Sequence, residues 1–494
     1  MNTESSKPAR PPRDINMVKW SLGCVGVAMV LCTGVVMLGL IVTPIAFRSL
    51  SPETQDKFIR HFPFTSNFMP TQPVVVLPTN VAKNGDALAL LATPTQTVAV
   101  VSSPTPVGGD LSIGAEGSAS KTPLAPTSTA IVDSSAASPT PVLAQPTELL
   151  STVVPTLAPT AIQVVAPVAF HNDGYVWVPQ GWNNCGPANV TQVLKSFSWQ
   201  GTQDQAAAYL KPNREDKNVS PWQIVKYVND NTGIKALQRV GGDLTTIKRL
   251  VSQKFGVILE TGYDVAGEGW MGHYLTVIGY DDNQSLLYGL DTYLGDGKDN
   301  LGYHEQYEDI DRRWQMFNRL YMVFYPKERE GELAALLGSD ADLNYNWQHA
   351  LNVAKLDASS RPNNPYAWFN IGSSYVLLRQ YKEAATAFDQ AQSVGGLPFR
   401  MLWYQFTPYE AYYNTGNYSQ VLALVQASLA TTTYVEETYY WKAMAEAAQG
   451  QIPLAEADFQ RVLKFNPNFV LATDRLTDIQ NGKFAPPAVA QATQ

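Results

Sequence analysis

Gln180-Gly181-Trp182-Asn183-Asn184-Cys185-Gly186-Pro187-Ala188 is the stretch on which the reading of this chain turns. It holds the one cysteine outside an N-terminal apolar segment, where loop residues give way to a helical pattern. Gly186-Pro187 followed by Ala188-Asn189-Val190-Thr191-Gln192-Val193-Leu194 reads as a first helical turn, in which the missing proline N–H costs nothing. A thiol at such a position lies at the positive end of the helix dipole, which favours thiolate. A free cysteine is also a small hydrophobe that packs well in cores. Its neighbours must decide between the two.

A cysteine nucleophile needs a base, a group that orients the base, and donors for the oxyanion. The chain has five histidines. His273 opens a β-branched and aromatic run to Tyr280 that reads as a strand. Asp281-Asp282-Asn283-Gln284 is turn chemistry, and Ser285 to Asp291 reads as the returning strand. A hairpin folded about residue 282 sets His273 directly opposite Asp291, on one face and about 5 Å apart at Cβ. A slip of one residue would separate them. An aspartate beside an imidazole fixes its tautomer and stabilises its protonated form. His61 is juxtamembrane, His171 precedes the domain, His304 lies in a charged loop and His349 falls in the repeats described below. Trp270 reads either as a shield for the imidazole or as core. Gln180, five residues before Cys185, can join the Cys185 backbone N–H as an oxyanion donor.

Together, Gln180, Cys185-Gly186-Pro187-Ala188, Gly272-His273-Tyr274 and Asp291 resemble the papain-fold cysteine peptidases of family thirty-nine, the double-glycine leader-peptidase-like group. The resemblance covers about Phe170 to Tyr325 and implies a papain-like α+β domain over 167–327. It implies Cys185 as nucleophile, His273 as general acid/base, Asp291 as its orienter and Gln180 as oxyanion donor. Transporter-linked members of that group are fused to exporters and ATPases, which are not seen in this sequence, so the resemblance leaves specificity for Gly-Gly leaders open.

On the C-terminal side, Trp368, Ile371-Gly372, Tyr375, Ala384, Phe388 and Ala391 fall on the spacing of a tetratricopeptide repeat beginning at Pro365. Weaker copies run through Tyr412, Gly416, Tyr418 and Leu422, and through Ala443, Gly450, Ala455, Phe459 and Pro467. A degenerate copy is expected from Gly331. Residues 331–484 thus resemble the tetratricopeptide family, which implies a solenoid with an aromatic-rich concave face for a protein partner. That face draws on Tyr404, Tyr409, Tyr412, Tyr413, Tyr439, Tyr440 and Trp441, most of them expected in the core. The domain over 167–327 is expected to fold without these repeats, and 485–494 is read as a disordered tail.

On the N-terminal side, Ser21 to Phe47 carries no charged residue and is long enough to cross a bilayer. Lys7, Arg10, Arg13 and Lys19 precede it, so residues 1–20 are expected in the cytoplasm and the rest outside, as a single-pass plasma-membrane protein. Residues 48–166 are rich in Pro, Thr and Ser and read as a disordered stalk. The net charge of −8 is modest and the basic residues do not cluster outside the N-terminus, which gives nucleic-acid binding no electrostatic footprint. No cofactor is expected, and no Cys/His cluster suggests a metal. The loop Leu294 to Asn300 carries acidic oxygens without the ligand spacing of a known calcium loop. The fold expected is multidomain: a single transmembrane helix, a disordered stalk, a papain-like α+β domain and an all-α tetratricopeptide-repeat solenoid. The function expected is a membrane-anchored extracytoplasmic cysteine peptidase acting on a protein or peptide substrate. The alternatives are an acyl transferase or amidase on the same fold, or a non-catalytic interaction scaffold.

Overall fold

The computed structural model describes residues 46–47, 50, 54, 61–62, 64–65, 84–92, 165–265 and 269–487. The chain divides into two units, Met1–Val74 and Val75–Gln494. In the first, Thr65 turns back on the Phe62 carbonyl through its hydroxyl (2.7 Å) and its N–H (2.9 Å). The expected cytoplasmic N-terminus and membrane span lie outside the described residues, apart from Ala46 and Phe47 at the span's end. Among the described residues no helix is long and apolar enough to cross a membrane.

In the second unit, the β-branched and aromatic runs that alternate between Ala169 and Pro326 form one antiparallel sheet. Its strands are β1 (Ala169–His171), β2 (Ile234–Arg239), β3 (Gly256–Val265), β4 (Gly269–Asp281), β5 (Leu286–Asp291), β6 (Tyr303–Gln306) and β7 (Tyr321–Pro326). They lie in the order β2-β7-β3-β4-β5-β6, with β1 also paired to β4. Alternation sends Val257, Leu259, Leu275 and Val277 to one face and Ile258, Tyr274 and Phe324 to the other.

Helix α2 (Cys185–Ser196) packs on the second face through Val190, Val193 and Leu194, the i, i+3, i+4 stripe of an amphipathic helix. It shares that face with α3 (Gln203–Leu210) and α4 (Pro221–Asn231). The opposite face is covered by α5 (Leu244–Ser252), α6 (Tyr307–Gln315) and α7 (Glu330–Leu337). Helix α7 corrects the degenerate repeat expected from Gly331. Its Leu333, Leu336 and Leu337 pack with Trp314 and the sheet. An apolar stripe at helical spacing names no partner, and here the sheet took it.

The remaining helices pair in succession. α8 (Leu343–Ser360) packs on α9 (Pro365–Leu377), which pairs with α10 (Tyr381–Val394). Then come α11 (Thr407–Asn414) with α12 (Tyr418–Leu429), α13 (Glu436–Ala448) with α14 (Ile452–Phe465), and α15 (Val470–Gln480). Gly372 is small for a reason: a Cβ there would meet the Phe388 ring at 2.7 Å. Tyr409, Tyr412, Tyr440 and Trp441 are fully buried, so most of the aromatic density is repeat core.

Two findings depart from the sequence reading. Trp222, Trp270 and Phe317 of the sheet region join the hydrophobic core of the repeats, beside Trp368, Tyr409 and Trp441. The two regions therefore share a core, against the expectation of a domain complete without the repeats. Within the stretch read as stalk, α1 (Asn84–Ala92) is helical and buries Ala87 and Leu90 in that same core. Two apolar residues one turn apart are enough to seat a short helix on a surface that the segment's own composition does not reveal.

Candidate active site

The loop before α2 is held open by hydrogen bonds from a neighbouring helix. Gln203 Oε1 accepts from Gly181 N–H (2.7 Å) and from Asn184 Nδ2 (3.1 Å), while its Nε2 donates to the Pro179 carbonyl (2.9 Å). Asn183 takes a left-handed backbone (φ 52°), a conformation that asparagine tolerates better than most residues. The chain then enters α2 at Cys185, with Asn184 as N-cap. Cys185 is a free thiol of intermediate exposure.

His273 stands on β4, and its Nε2 lies 3.0 Å from Asp291 Oδ1 at the end of β5. Asp291 is fully buried; the same oxygen accepts from the N–H groups of Tyr293 and Leu294, both at 2.8 Å. The pairing came about differently from the register inferred above. Asp291 lies opposite Leu275, not His273, because the turn closes between Asp281 and Leu286. That turn alone offsets the expected register by an odd number of residues and would put His273 and Asp291 on opposite faces. A bulge between Val277 and Gly279 absorbs one residue and restores the parity. His273 and Asp291 thus meet diagonally.

Burial alone would push the His273 imidazolium down. The Asp291 charge and hydrogen bond, together with the Cys185 side chain, outweigh it and hold His273 at about 10. Burial opposes ionisation of Asp291, yet the His273 charge and the hydrogen bonds bring its carboxyl below the usual range. The Cys185 side chain adds to the upward push on His273. The ring packed edge-on against His273 is Tyr263, at 5.5 Å. Tyr263 is itself set by Arg313, which lies 4.5 Å over its ring. Trp270 instead stacks on Phe317 (5.8 Å) within the shared core, which settles its role as core. Three other histidines pair with local carboxylates: His171 with Asp173, His304 with Asp299 and His349 with Asp340.

Gln180 lies beside the same strand end. Its N–H donates to the Thr292 carbonyl (2.9 Å), and its Oε1 accepts from the Thr292 hydroxyl (2.8 Å). Behind it lies a buried polar network that the sequence reading passed over. Asn189 Nδ2 donates to the carbonyls of Cys185 and Tyr274, both at 2.9 Å, and approaches Thr292 Oγ1 at 3.3 Å. Asn189 Oδ1 accepts from the Thr276 hydroxyl (2.7 Å), which in turn accepts from Gln192 Nε2 (3.1 Å). Two polar residues one turn apart on the inward face of the helix, Asn189 and Gln192, were the one available signal.

Two further titratable groups are buried in this region. Glu260 is buried, and burial above all pushes its carboxyl well above the usual range. With Ser220, Trp222, Tyr404 and Phe406 it lines a cavity of about 90 Å³ between the sheet region and the repeats. Lys211 reaches the Trp182 carbonyl (3.3 Å), and burial pushes its ammonium down to about 8. Among the described residues no three His, Cys, Asp or Glu side chains converge as a metal site.

Residues 164–322 match the model of the Peptidase_C39 like family, and residues 365–394 match a tetratricopeptide repeat. The chain therefore carries a peptidase C39-like region followed by tetratricopeptide repeats. A solved double glycine motif protease from an AMS/PCAT transporter, in complex with the leader peptide, is 16% identical. The similarity covers 32% of this chain and 95% of that one, with a TM-score of 0.24. A solved C39-like peptidase from Bacillus anthracis is 14% identical over 32% of this chain and 96% of its own, with a TM-score of 0.26. No curated protein matches.

Proposed function

We propose that this chain is a cysteine peptidase in which Cys185 attacks a peptide carbonyl. The observation that carries the reading is the His273 Nε2–Asp291 Oδ1 contact of 3.0 Å on a ring that also feels Cys185. With Nε2 facing Asp291, the other ring nitrogen is the one left for the thiol. His273 takes the thiol proton, holds it as imidazolium and passes it to the leaving amine. The tetrahedral oxyanion is met by the Cys185 backbone N–H and Gln180 Nε2, and water then releases the acyl-enzyme. The repeats place a protein substrate or partner at the cleft. The apolar segment Ser21 to Phe47 anchors the chain in the plasma membrane, with the Lys/Arg bias of residues 1–20 keeping that end cytoplasmic.

The test is labelling of the full chain with iodoacetamide near neutral pH, followed by mass mapping. Cys185 reacts quickly in the wild type, and His273→Ala slows it at least about tenfold by removing the ion-pair partner. Equal rates in the two proteins would sink the ion pair. Hydrolysis of a protein substrate that survives Cys185→Ala would remove the nucleophile. External protease on intact cells checks the topology: release of the folded part supports export, whereas cutting only after lysis reverses it.

A further inference from the structure

The residue after the Asp291 orienter is tied to Gln180 at both ends. Thr292 is 2% exposed; its carbonyl takes the Gln180 N–H and its hydroxyl donates to Gln180 Oε1. A second strut joins the same segments, since Trp177 Nε1 donates to the Asp291 carbonyl at 2.9 Å. A side-chain amide has two ends, and only its NH₂ can stabilise an oxyanion. Once the Thr292 hydroxyl takes Oε1, the rotation about the last Gln180 torsion is decided and Nε2 is the end turned elsewhere.

From this we infer that Thr292 is a positioning residue for oxyanion stabilisation, acting through Gln180 by selecting which end of its amide faces the reacting carbonyl. The inference rests on the reading of Cys185 as an acylated nucleophile. A single two-residue segment, Asp291-Thr292, then sets both the base and the oxyanion donor. Asn189 makes the assignment testable. Its two Nδ2 protons already have carbonyl acceptors at 2.9 Å, so loss of the Thr292 hydroxyl orphans Gln180 Oε1 and not Asn189.

The experiment compares two reactions of the same thiol in the full chain. With p-nitrophenyl acetate, the Cys185 sulfur bonds to the acetyl carbon, an oxyanion forms, and p-nitrophenolate leaves as the C–O bond breaks. With iodoacetamide, sulfur displaces iodide at a saturated carbon and no oxyanion forms. Thr292→Val is expected to slow acetylation about 10- to 100-fold, short of or equal to the loss of an oxyanion donor, with alkylation unchanged within about twofold. Thr292→Ser keeps the hydroxyl and restores acetylation. In a Gln180→Ala background, Thr292→Val costs nothing further, because the group it acts through is gone. Equal slowing of both reactions would make Thr292 merely structural and overturn the inference. So would an undiminished Thr292→Val effect without Gln180. A wild-type chain that is alkylated but never acetylated would instead overturn the peptidase reading, and this inference with it.

Discussion

His273 keeps its proton far above the pH at which a free imidazole loses it, and the cause can be checked by titration. Asp291 supplies the largest upward push against burial, so Asp291→Asn should bring the His273 midpoint from about 10 back toward the ordinary imidazole range. NMR of the His273 ring across pH 5–11 reads this directly; an unchanged midpoint would assign the push to Cys185. The sign for stability follows. A raised histidine contributes fully below its unfolded value near 6.5, and that contribution fades as pH climbs through about 10. Asp291, held low, contributes above its unfolded value and loses that as acid protonates it. The placement of Cys185 at a helix start and the meeting of His273 with Asp291 were legible, because turns and helix starts leave residue signatures at known offsets. Glu260, Lys211, Asn189 and Thr292 were not. Each is a polar residue buried by tertiary packing, which no local pattern encodes.

At the scale of elements, the hairpin teaches that register has two parts, face and offset. Alternating residue types marked out the strands, but the shared face of His273 and Asp291 came from a bulge that restored parity. The turn closure and the bulge at Ile278 were invisible because a bulge has no residue signature in an apolar run. The start of β4 carries a constraint of another kind. A Cβ on Gly272 would meet Phe317 and the Tyr404 ring at 2.9 Å, so the residue beside His273 touches the repeats. Gly272→Ala should destabilise by about 1–3 kcal/mol through overpacking. Adding Tyr404→Ala should return part of that by removing one of the two clashing rings. Thermal denaturation of the single and double variants measures it, and strictly additive losses would deny the contact. The repeat pairs from Pro365 onward were readable from small and large residues at fixed spacing. Helix α7 was not, because Leu333, Leu336 and Leu337 would have suited a repeat equally well.

For the molecule as a whole, the shared core sets the expected behaviour of fragments. Residues 165–327 alone would expose Trp222, Trp270 and Phe317, so that fragment should bind an apolar dye and aggregate; a dye-silent, soluble fragment would contradict the shared core. The same junction buries Asp216 against Glu436 and Glu437. Ser220 Oγ donates to Glu437 (2.7 Å) and Gln223 Nε2 to Glu436 (2.8 Å). Burial raises all three: Asp216 to about 6, Glu437 to about 8 and Glu436 well above the usual range. The folded chain therefore binds these protons more tightly than the unfolded one. Their cost is absent in acid, where both states are protonated, and grows as pH rises from about 4 to 8. Glu437→Gln should raise the melting temperature at pH 8 more than at pH 5; an equal change at both would show that the carboxyl does not titrate there. The junction also fixes an order of events during synthesis. Asn466 and Asn468 hold the carbonyls of Leu210 and Tyr209, and Phe469 packs edge-on against Trp222. A nascent chain possesses Cys185, His273 and Asp291 long before it possesses these braces. The ribosome thus delivers Cys185 first and the braces of its domain last, so this junction closes only once the chain through Phe469 has emerged and folded back.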